Sequence, residues 1–117
     1  MTPIPIFVGY DPREAIAFHT CVNSIIRHAS QPVAIMPIAL NLFQDYEETH
    51  TDGSNHFIYT RFLVPHLMSY TGWAIFIDGD MIVRDDIVKL WNLQASHVDV
   101  MVVKHDYKTR MTEKYLG

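Results

Sequence analysis

The start of the chain combines a buried strand, a tight turn and an amphipathic helix, and this pattern restricts the possible folds more than any other feature. Residues 4–8 form a short apolar run, which is typical of a buried strand. In the turn that follows, Asp11 is the predicted helix N-cap and Pro12 the first helical residue. Between residues 13 and 30 apolar side chains recur with the period of a helix. These apolar positions are Ala15, Phe18, Val22, Ile25, Ile26 and Ala29.

The rest of the chain alternates between strand-like runs and helical patterns. Strands are predicted at residues 33–39, 73–77, 81–83 and 98–103. Helices are predicted at residues 57–68 and 87–91. Strands separated by helices are typical of an α/β domain with an open, mostly parallel sheet flanked by helices, which is a Rossmann-like fold. We therefore expect residues 1–117 to form a single domain of this class.

Proline and small polar residues predict where these elements begin, end or bend. Pro37 indicates an edge strand or a strand end, because proline cannot donate a hydrogen bond to a neighbouring strand. Pro65 is expected to disturb the helix in which it lies. The candidate N-caps of the two later helices are Ser54 or Asn55, and Asp85 or Asp86.

Composition and charge limit what this domain does. The formal charge of −4 argues against non-specific nucleic-acid binding, which requires clustered cations. The apolar stretches are far shorter than the roughly 20 residues of a membrane-spanning helix. The N-terminus lacks the basic and apolar regions of a signal peptide, so a cytoplasmic location is expected. Cys21 has no partner cysteine in the sequence and is expected to pack inside the domain.

Two carboxylates follow directly after the apolar run at residues 73–77. Asp78 and Asp80 are separated by Gly79, which relieves crowding between them. Carboxylates placed in this way at a strand end suit a hard divalent cation that also binds phosphate oxygens. The motif therefore predicts a Mn²⁺ or Mg²⁺ site formed by both aspartates. The alternative is that these residues only turn the chain after the strand.

A second polar segment is expected at the same edge of the sheet, because parallel strands end on one side and ligands bind there. Gly9 permits close approach to the backbone, Tyr10 offers an aromatic face, and Asp11 accepts hydrogen bonds. The segment is a candidate nucleotide contact. The alternative for Tyr10 is packing on the first helix.

Three segments of the chain resemble the donor-binding half of glycosyltransferases with a GT-A fold, and in particular glycosyltransferase family 8. They are residues 8–11, 59–65 and 76–83. The resemblance spans nearly the whole chain and implies a nucleotide sugar as ligand, with a UDP-sugar as the favoured donor and a lipopolysaccharide or other glycan as acceptor. Family members usually continue beyond these elements, so we expect the N-terminal, donor-binding portion of an incomplete domain.

The same resemblance implies roles for individual residues. Those expected to contact the nucleoside are Gly9, Tyr10 and Asp11. Arg61 would bind the acidic pair or the donor, and Gly79 would lie against the substrate. Asp78 and Asp80 would bind the donor ribose and the metal, and with Arg61 they are the expected catalytic residues. The alternative for Arg61 is a solvated side chain that pairs weakly with surface acids.

Other functions also fit the residues. A buried strand followed by Asp-x-Asp describes phosphatases of the haloacid dehalogenase type, although there the motif usually opens the domain. A non-catalytic nucleotide-sugar-binding fragment fits as well, and an oligomer would be one way to complete its site. Dehydrogenase and P-loop NTPase functions are not expected, because the sequence lacks a Gly-x-Gly-x-x-Gly turn and a Walker A loop.

Two further polar clusters have weaker signals. Residues 50–56 contain two histidines and an aspartate, but the spacing matches no zinc site and a polar loop is expected. His105 and Lys104 are candidates to substitute for the later histidine and lysine of the family, and the alternative for His105 is a structural or solvated side chain. Basic residues near the end of the chain form either a phosphate-binding cluster or a solvated tail. They are Lys104, Lys108, Arg110 and Lys114.

Overall fold

A computed structural model describes residues 1–43 and 59–104 and shows a three-stranded parallel sheet with flanking helices. The strands are β1 (Ile4–Tyr10), β2 (Val33–Ala39) and β3 (Ile75–Ile77). The α-helices are α1 (Ala15–His28), α2 (Val64–Leu67) and α3 (Ile87–Trp91). Short 3₁₀ turns occupy Pro12–Glu14, Leu40–Leu42 and Thr60–Leu63. The predicted open, parallel α/β architecture is confirmed.

The strand order is β2-β1-β3, so the first strand lies in the centre of the described sheet. Ile4 pairs with Val33 on one side of β1, and Phe7 pairs with Phe76 on the other. The chain therefore moves outward from β1 to β2 and later returns to the opposite side of β1. A crevice at such a reversal of strand order, outside the carboxyl ends of the strands, is where open α/β sheets bind ligands.

The hydrophobic core lies between one face of this sheet and two helices. Alternate β1 residues point into it, as the two-residue period of a strand requires. Its buried members are Ile4, Ile6, Val8, Cys21, Ile25, Ile77, Ile87 and Val88. Fully burying one such aliphatic side chain contributes roughly 1.5–3 kcal/mol. Helices α1 and α3 are thus fixed against the strands whose ends carry the polar segments.

The predicted cap Asp11 and the following Pro12 begin a 3₁₀ turn that leads directly into α1 at Ala15, and the buried face of α1 is rotated from the expected one. The carboxylate of Asp11 accepts a hydrogen bond from the Arg13 amide (2.9 Å), and Pro12 occupies the first turn. Ile26, predicted to face the core, is 56% exposed, whereas Cys21 is fully buried. The prediction for Ile26 is wrong because Cys21 and Ser24, rather than larger apolar residues, complete the stripe that meets the sheet.

Two proline predictions have different outcomes. Pro37 is exposed in β2, an edge strand of the described sheet, as expected. Pro65 lies in the first turn of α2, where a missing N–H interrupts no intrahelical hydrogen bond. The expected helix is instead a 3₁₀ turn followed by one α-helical turn, and the proline starts the second part rather than disturbing it.

Two predicted strands are wrong. Residues 81–83 form a loop, because the Val83 amide donates to the Ser24 hydroxyl (2.9 Å) rather than to a strand. Residues 98–103 have no strand partner among the described residues, and Val100 and Val102 are 76% and 81% exposed. An apolar run becomes a strand only where a neighbouring backbone accepts and donates its hydrogen bonds.

Of the two candidate caps of α3, the structure uses Asp86, whose carboxylate accepts a hydrogen bond from the Val88 amide (3.0 Å).

Several predictions lie outside the described residues. They concern the candidate caps Ser54 and Asn55, the polar loop and most of the basic cluster. No helix within the two described ranges is long and apolar enough to cross a membrane.

Candidate functional site

Both polar segments of the sequence emerge at the same edge of the sheet. Because β1 and β3 are adjacent and parallel, with Val8 paired to Ile77, the residues after each strand leave side by side. Gly9 and Tyr10 end the first strand, and Asp78 follows the other. This edge is also where the strand order reverses, so the structure brings the two predicted segments together at the position favoured for a ligand.

A glycine–glycine contact joins the two segments. The backbone of Gly79 lies against the carbonyl group of Gly9, so that a β-carbon at position 79 would overlap the Gly9 oxygen. A β-carbon at Gly9 would instead make an ordinary contact, 3.8 Å from Cζ of Phe76. The close backbone approach predicted for Gly9 therefore depends on the absence of a side chain at Gly79.

Arg61 lies beside the first aspartate of the pair. Its Nη2 donates a hydrogen bond to Oδ1 of Asp78 over 2.9 Å. The guanidinium also packs over the ring of Phe76, with 5.1 Å from Cζ to the ring centroid. Because Phe76 shares its face of the sheet with Phe7, Arg61 reaches the site from the face opposite α1.

The ion pair leaves both partners accessible to a ligand. The Arg61 side chain is 37% exposed and that of Asp78 is 49% exposed. A pair this exposed contributes about 0–1 kcal/mol to stability, so its effect on the fold is small. Its charges instead place a cationic group next to a carboxylate at the carboxyl edge of the sheet.

Asp11 makes local contacts that shape the turn. It is 8% exposed, and its oxygens accept hydrogen bonds from Nε (3.1 Å) and Nη2 (2.8 Å) of Arg13. The hydrogen bond and charge of Asp11 raise the pKa of the Arg13 guanidinium. Residues that follow a strand end and begin a helix commonly combine such a cap with ligand binding through the backbone.

Tyr10 packs edge-on against Phe18 of α1, with ring centroids 5.1 Å apart. The tyrosine is half-buried, so part of its side chain is accessible to solvent. The packing on the first helix that was the alternative for Tyr10 is thus present, and the nucleotide contact stays a prediction. An aromatic ring fixed in this way loses little freedom when a second planar group stacks on it.

Asp80 is the exposed member of the acidic pair. Burial, and secondarily the negative charge of Asp80, raises the pKa of the Cys21 thiol. Cys21 is therefore a packed, protonated residue, as predicted. Its Sγ lies 4.0 Å from the Asp78 carbonyl oxygen. This contact brings α1 against the start of residues 78–86, the loop between β3 and α3 that we call the acidic loop.

The two carboxylates fit a divalent metal that takes further ligands from a substrate. Within the described residues no group of three or more His, Cys, Asp or Glu side chains converges on a point. Two carboxylates such as Asp78 and Asp80 would supply hard oxygen ligands but not a full coordination shell. Mg²⁺ is commonly held by one or two carboxylates plus substrate phosphates and water, and this donor set matches that pattern.

Some contacts of the site were not foreseen from sequence. Phe76 belongs to the apolar run predicted as a strand, and in the structure it also supports Arg61 and lies under Gly9. Arg13 holds Asp11, a contact that no sequence motif indicates. Phe76 precedes Asp78 by two residues, so the two-residue period of a strand predicts that both side chains share a face. The position of Arg61 beside them cannot be predicted from that period. Lys104 is exposed, and His105 lies outside the described residues.

Comparison with known proteins gives related sequences. The family model described as Glycosyl transferase family 8 matches residues 22–115. Protein CDI of Arabidopsis thaliana is 40% identical over 119 aligned residues, which cover 98% of this chain and 46% of that protein. The chain thus spans about half the length of this relative. No solved structure matches the chain.

Proposed function

This chain belongs to glycosyl transferase family 8, and from that premise we propose that it binds the nucleoside diphosphate sugar from which a sugar is transferred. The family supports glycosyl transfer in general and does not support the haloacid dehalogenase alternative. Transfer to an acceptor belongs to the proposal for the whole protein, since the chain spans about half of its relative.

The juxtaposition of two strand ends carries this proposal. The acidic segment after β3 and the glycine–tyrosine segment at the end of β1 meet where the strand order reverses. A nucleotide sugar needs a surface for its base and ribose and a separate, charged place for its diphosphate. We assign the first to Gly9, Tyr10 and Asp11, and the second to the acidic pair with Arg61.

In this proposal Asp78 and Asp80 hold Mn²⁺ or Mg²⁺, with Asp78 also near the donor ribose. The ion supplies positive charge that stabilises the leaving nucleoside diphosphate. Arg61 adds a planar cation suited to bidentate binding of phosphate oxygens. Phe76 and Asp78 keep the guanidinium at the crevice before a ligand arrives, which reduces the ordering that binding requires.

The backbone at Gly79 would lie against the donor because it has no side chain to block approach. Tyr10 would present its free face to the base, and its edge contact with Phe18 fixes the ring plane.

We further propose a UDP-sugar as donor, a glycan such as lipopolysaccharide as acceptor, and a cytoplasmic location. These three assignments are supported by the motif resemblance and, for the compartment, by the lone Cys21.

Calorimetric titration of the chain with UDP, in Mn²⁺ and again in EDTA, tests this function. We expect the wild type to bind at least about tenfold more tightly with Mn²⁺. Asp80→Asn should remove this difference, whereas Asp99→Asn, a control at an exposed aspartate outside the two polar segments, should retain it. Metal-independent binding, or an Asp80→Asn variant that keeps the full difference, would overturn the metal assignment. No binding at all would overturn the proposed function.

A further inference from the structure

A buried serine on α1 connects the helix to the loop that carries the acidic pair. Ser24 is 7% exposed and lies on the core side of the helix. Its hydroxyl donates to the Cys21 carbonyl oxygen (2.6 Å) and accepts a hydrogen bond from the Val83 amide (2.9 Å). The residues joined by the second bond are 59 positions apart in sequence, so this is a tertiary contact.

The loop after β3 depends on such contacts because it has no strand partner of its own. β3 ends at Ile77, and the following turn contains a single long backbone bond, from the Met81 amide to the Asp78 carbonyl (3.3 Å). Asp80 lies inside that turn and is exposed. Its position relative to Asp78 is therefore set by whatever holds the two ends of the loop.

Helix α1 and Ser30, two residues beyond its end, contact this loop at three successive points. At the start of the loop, Cys21 Sγ lies against the Asp78 carbonyl oxygen. In the middle, the Ser24 hydroxyl accepts a hydrogen bond from the Val83 amide. At the far end the Ser30 amide donates to the Asp86 carboxylate (3.2 Å). The first contact involves a weak sulfur donor and the last is exposed. The part-buried bond from the Val83 amide to the Ser24 hydroxyl is thus the strongest restraint on the segment just beyond Asp80.

We propose that Ser24 is a positioning residue for the metal ligand Asp80. This inference rests on the proposed function. It means that the Ser24 side chain holds the acidic loop in the conformation in which both carboxylates bind one cation. Ligand groups have to be held within about 0.5 Å of their productive geometry, and supporting hydrogen bonds provide that precision. Val83 is the point at which Ser24 acts, three residues beyond Asp80.

The test compares Ser24→Ala with Ser24→Thr and Thr20→Ala in the 117-residue chain. Ser24→Thr retains a hydroxyl. Thr20→Ala removes a hydroxyl on the same helix that bonds to the Ile16 carbonyl (2.8 Å) and is exposed. For each variant we would measure hydrogen exchange of the Val83 amide, UDP affinity in Mn²⁺ and in EDTA, and stability in urea.

Ser24→Ala should speed exchange at Val83 and weaken UDP binding about tenfold in Mn²⁺ only, as loss of an outer support of a metal site does. Ser24→Thr should restore both, and Thr20→Ala should change neither. If Ser24→Ala lowers stability but binds UDP in Mn²⁺ like the wild type, the serine is only structural and the inference is wrong. Should Ser24→Ala not fold, the size-matched variant Ser24→Cys takes its place in the same three measurements, and its UDP affinity in Mn²⁺ decides whether the inference holds. A wild type that binds UDP equally well in Mn²⁺ and in EDTA would overturn the metal assignment and this inference with it, whereas a wild type that does not bind UDP at all would overturn the proposed function as well.

Discussion

Arg61 is the residue whose placement most changes the chemistry of the site. It contacts a carboxylate and an aromatic face at the same time, through Asp78 and Phe76. A planar guanidinium suits both contacts, whereas a lysine ammonium would make a single point contact. The arginine is therefore oriented in the crevice before any phosphate is present.

Replacing Arg61 should separate stability from ligand binding. Because the ion pair is half-exposed, Arg61→Ala should lower the free energy of unfolding by less than about 1 kcal/mol in urea titrations. UDP affinity in Mn²⁺ should fall about tenfold, since a charged hydrogen bond is worth roughly 1.5–3 kcal/mol. Arg61→Lys should recover part of this affinity. Arg27→Ala, an exposed arginine on α1, serves as the control, and equal UDP affinities for Arg61→Ala and Arg27→Ala would refute the assigned role.

Gly79 and Gly72 lie beyond opposite ends of β3 and need glycine for different reasons. At Gly79 a side chain would overlap the Gly9 carbonyl oxygen, whereas Gly72 has open space but a left-handed φ of 73°. Gly79→Ala should cost about 1–3 kcal/mol as an overpacked contact, and Gly72→Ala about 1 kcal/mol as backbone strain.

The two glycine variants should differ in ligand binding. Only Gly79→Ala pushes the acidic loop away from the end of β1, so only this variant should weaken UDP binding in Mn²⁺. Chemical denaturation and UDP titration of both variants provide the comparison. A Gly79→Ala chain with the affinity of Gly72→Ala would show that the contact between the two segments is not needed for the site.

At the scale of elements, helix α1 both completes the core and supports the acidic loop. Its apolar period predicted a helix correctly, and Asp11 and Pro12 predicted the 3₁₀ turn that precedes it rather than its first residue. The orientation of the helix was less predictable, because Cys21 and Ser24 are small and one is polar. A buried serine is stable there only because the Val83 amide and the Cys21 carbonyl satisfy its hydroxyl, and neither partner can be inferred from local sequence.

Strand formation shows the same limit. Residues 33–39 and 98–103 have similarly apolar sequences, but only the former lie beside β1 and form a strand. Strand propensity describes how well side chains suit a half-buried surface, not whether a neighbouring backbone is present. The wrong predictions at residues 81–83 and 98–103 therefore follow from tertiary contacts that local pattern does not contain.

The contact between Ser30, which follows α1, and Asp86, the N-cap of α3, should make the free energy of unfolding depend on pH in the acidic range. Hydrogen bonds from Ser30 and from the Val88 amide lower the pKa of Asp86 below its ordinary value of 3.8. The stability from this carboxylate is complete above 3.8 and is lost as the pH falls through the lowered pKa. Asp86→Asn keeps a good N-cap but does not titrate. Urea unfolding between about pH 5 and pH 2.5 should show a shallower loss for Asp86→Asn, and identical slopes would exclude this linkage.

At the scale of the whole molecule, much of the candidate site follows from chain order. Two strand ends marked by polar residues, in a parallel sheet, meet at one edge, and sequence alone predicted that Gly9 and Asp78 would lie there. The side-chain partners were less predictable. Asp11 pairs with Arg13 and Arg61 packs on Phe76 because of rotamers and packing that periodicity does not determine.

Thermal unfolding of the wild-type chain with a panel of nucleoside diphosphate sugars, with and without Mn²⁺, tests the central claim most directly. A ligand at about 100 times its Kd stabilises the folded state by roughly 2.7 kcal/mol. This corresponds to an increase in Tm of about 10 °C for a domain of this size. We predict such an increase for at least one nucleotide sugar, UDP-sugars first, in Mn²⁺ and its loss in EDTA. A Tm that no nucleotide sugar changes in Mn²⁺ would contradict a metal-dependent donor site at Asp78 and Asp80.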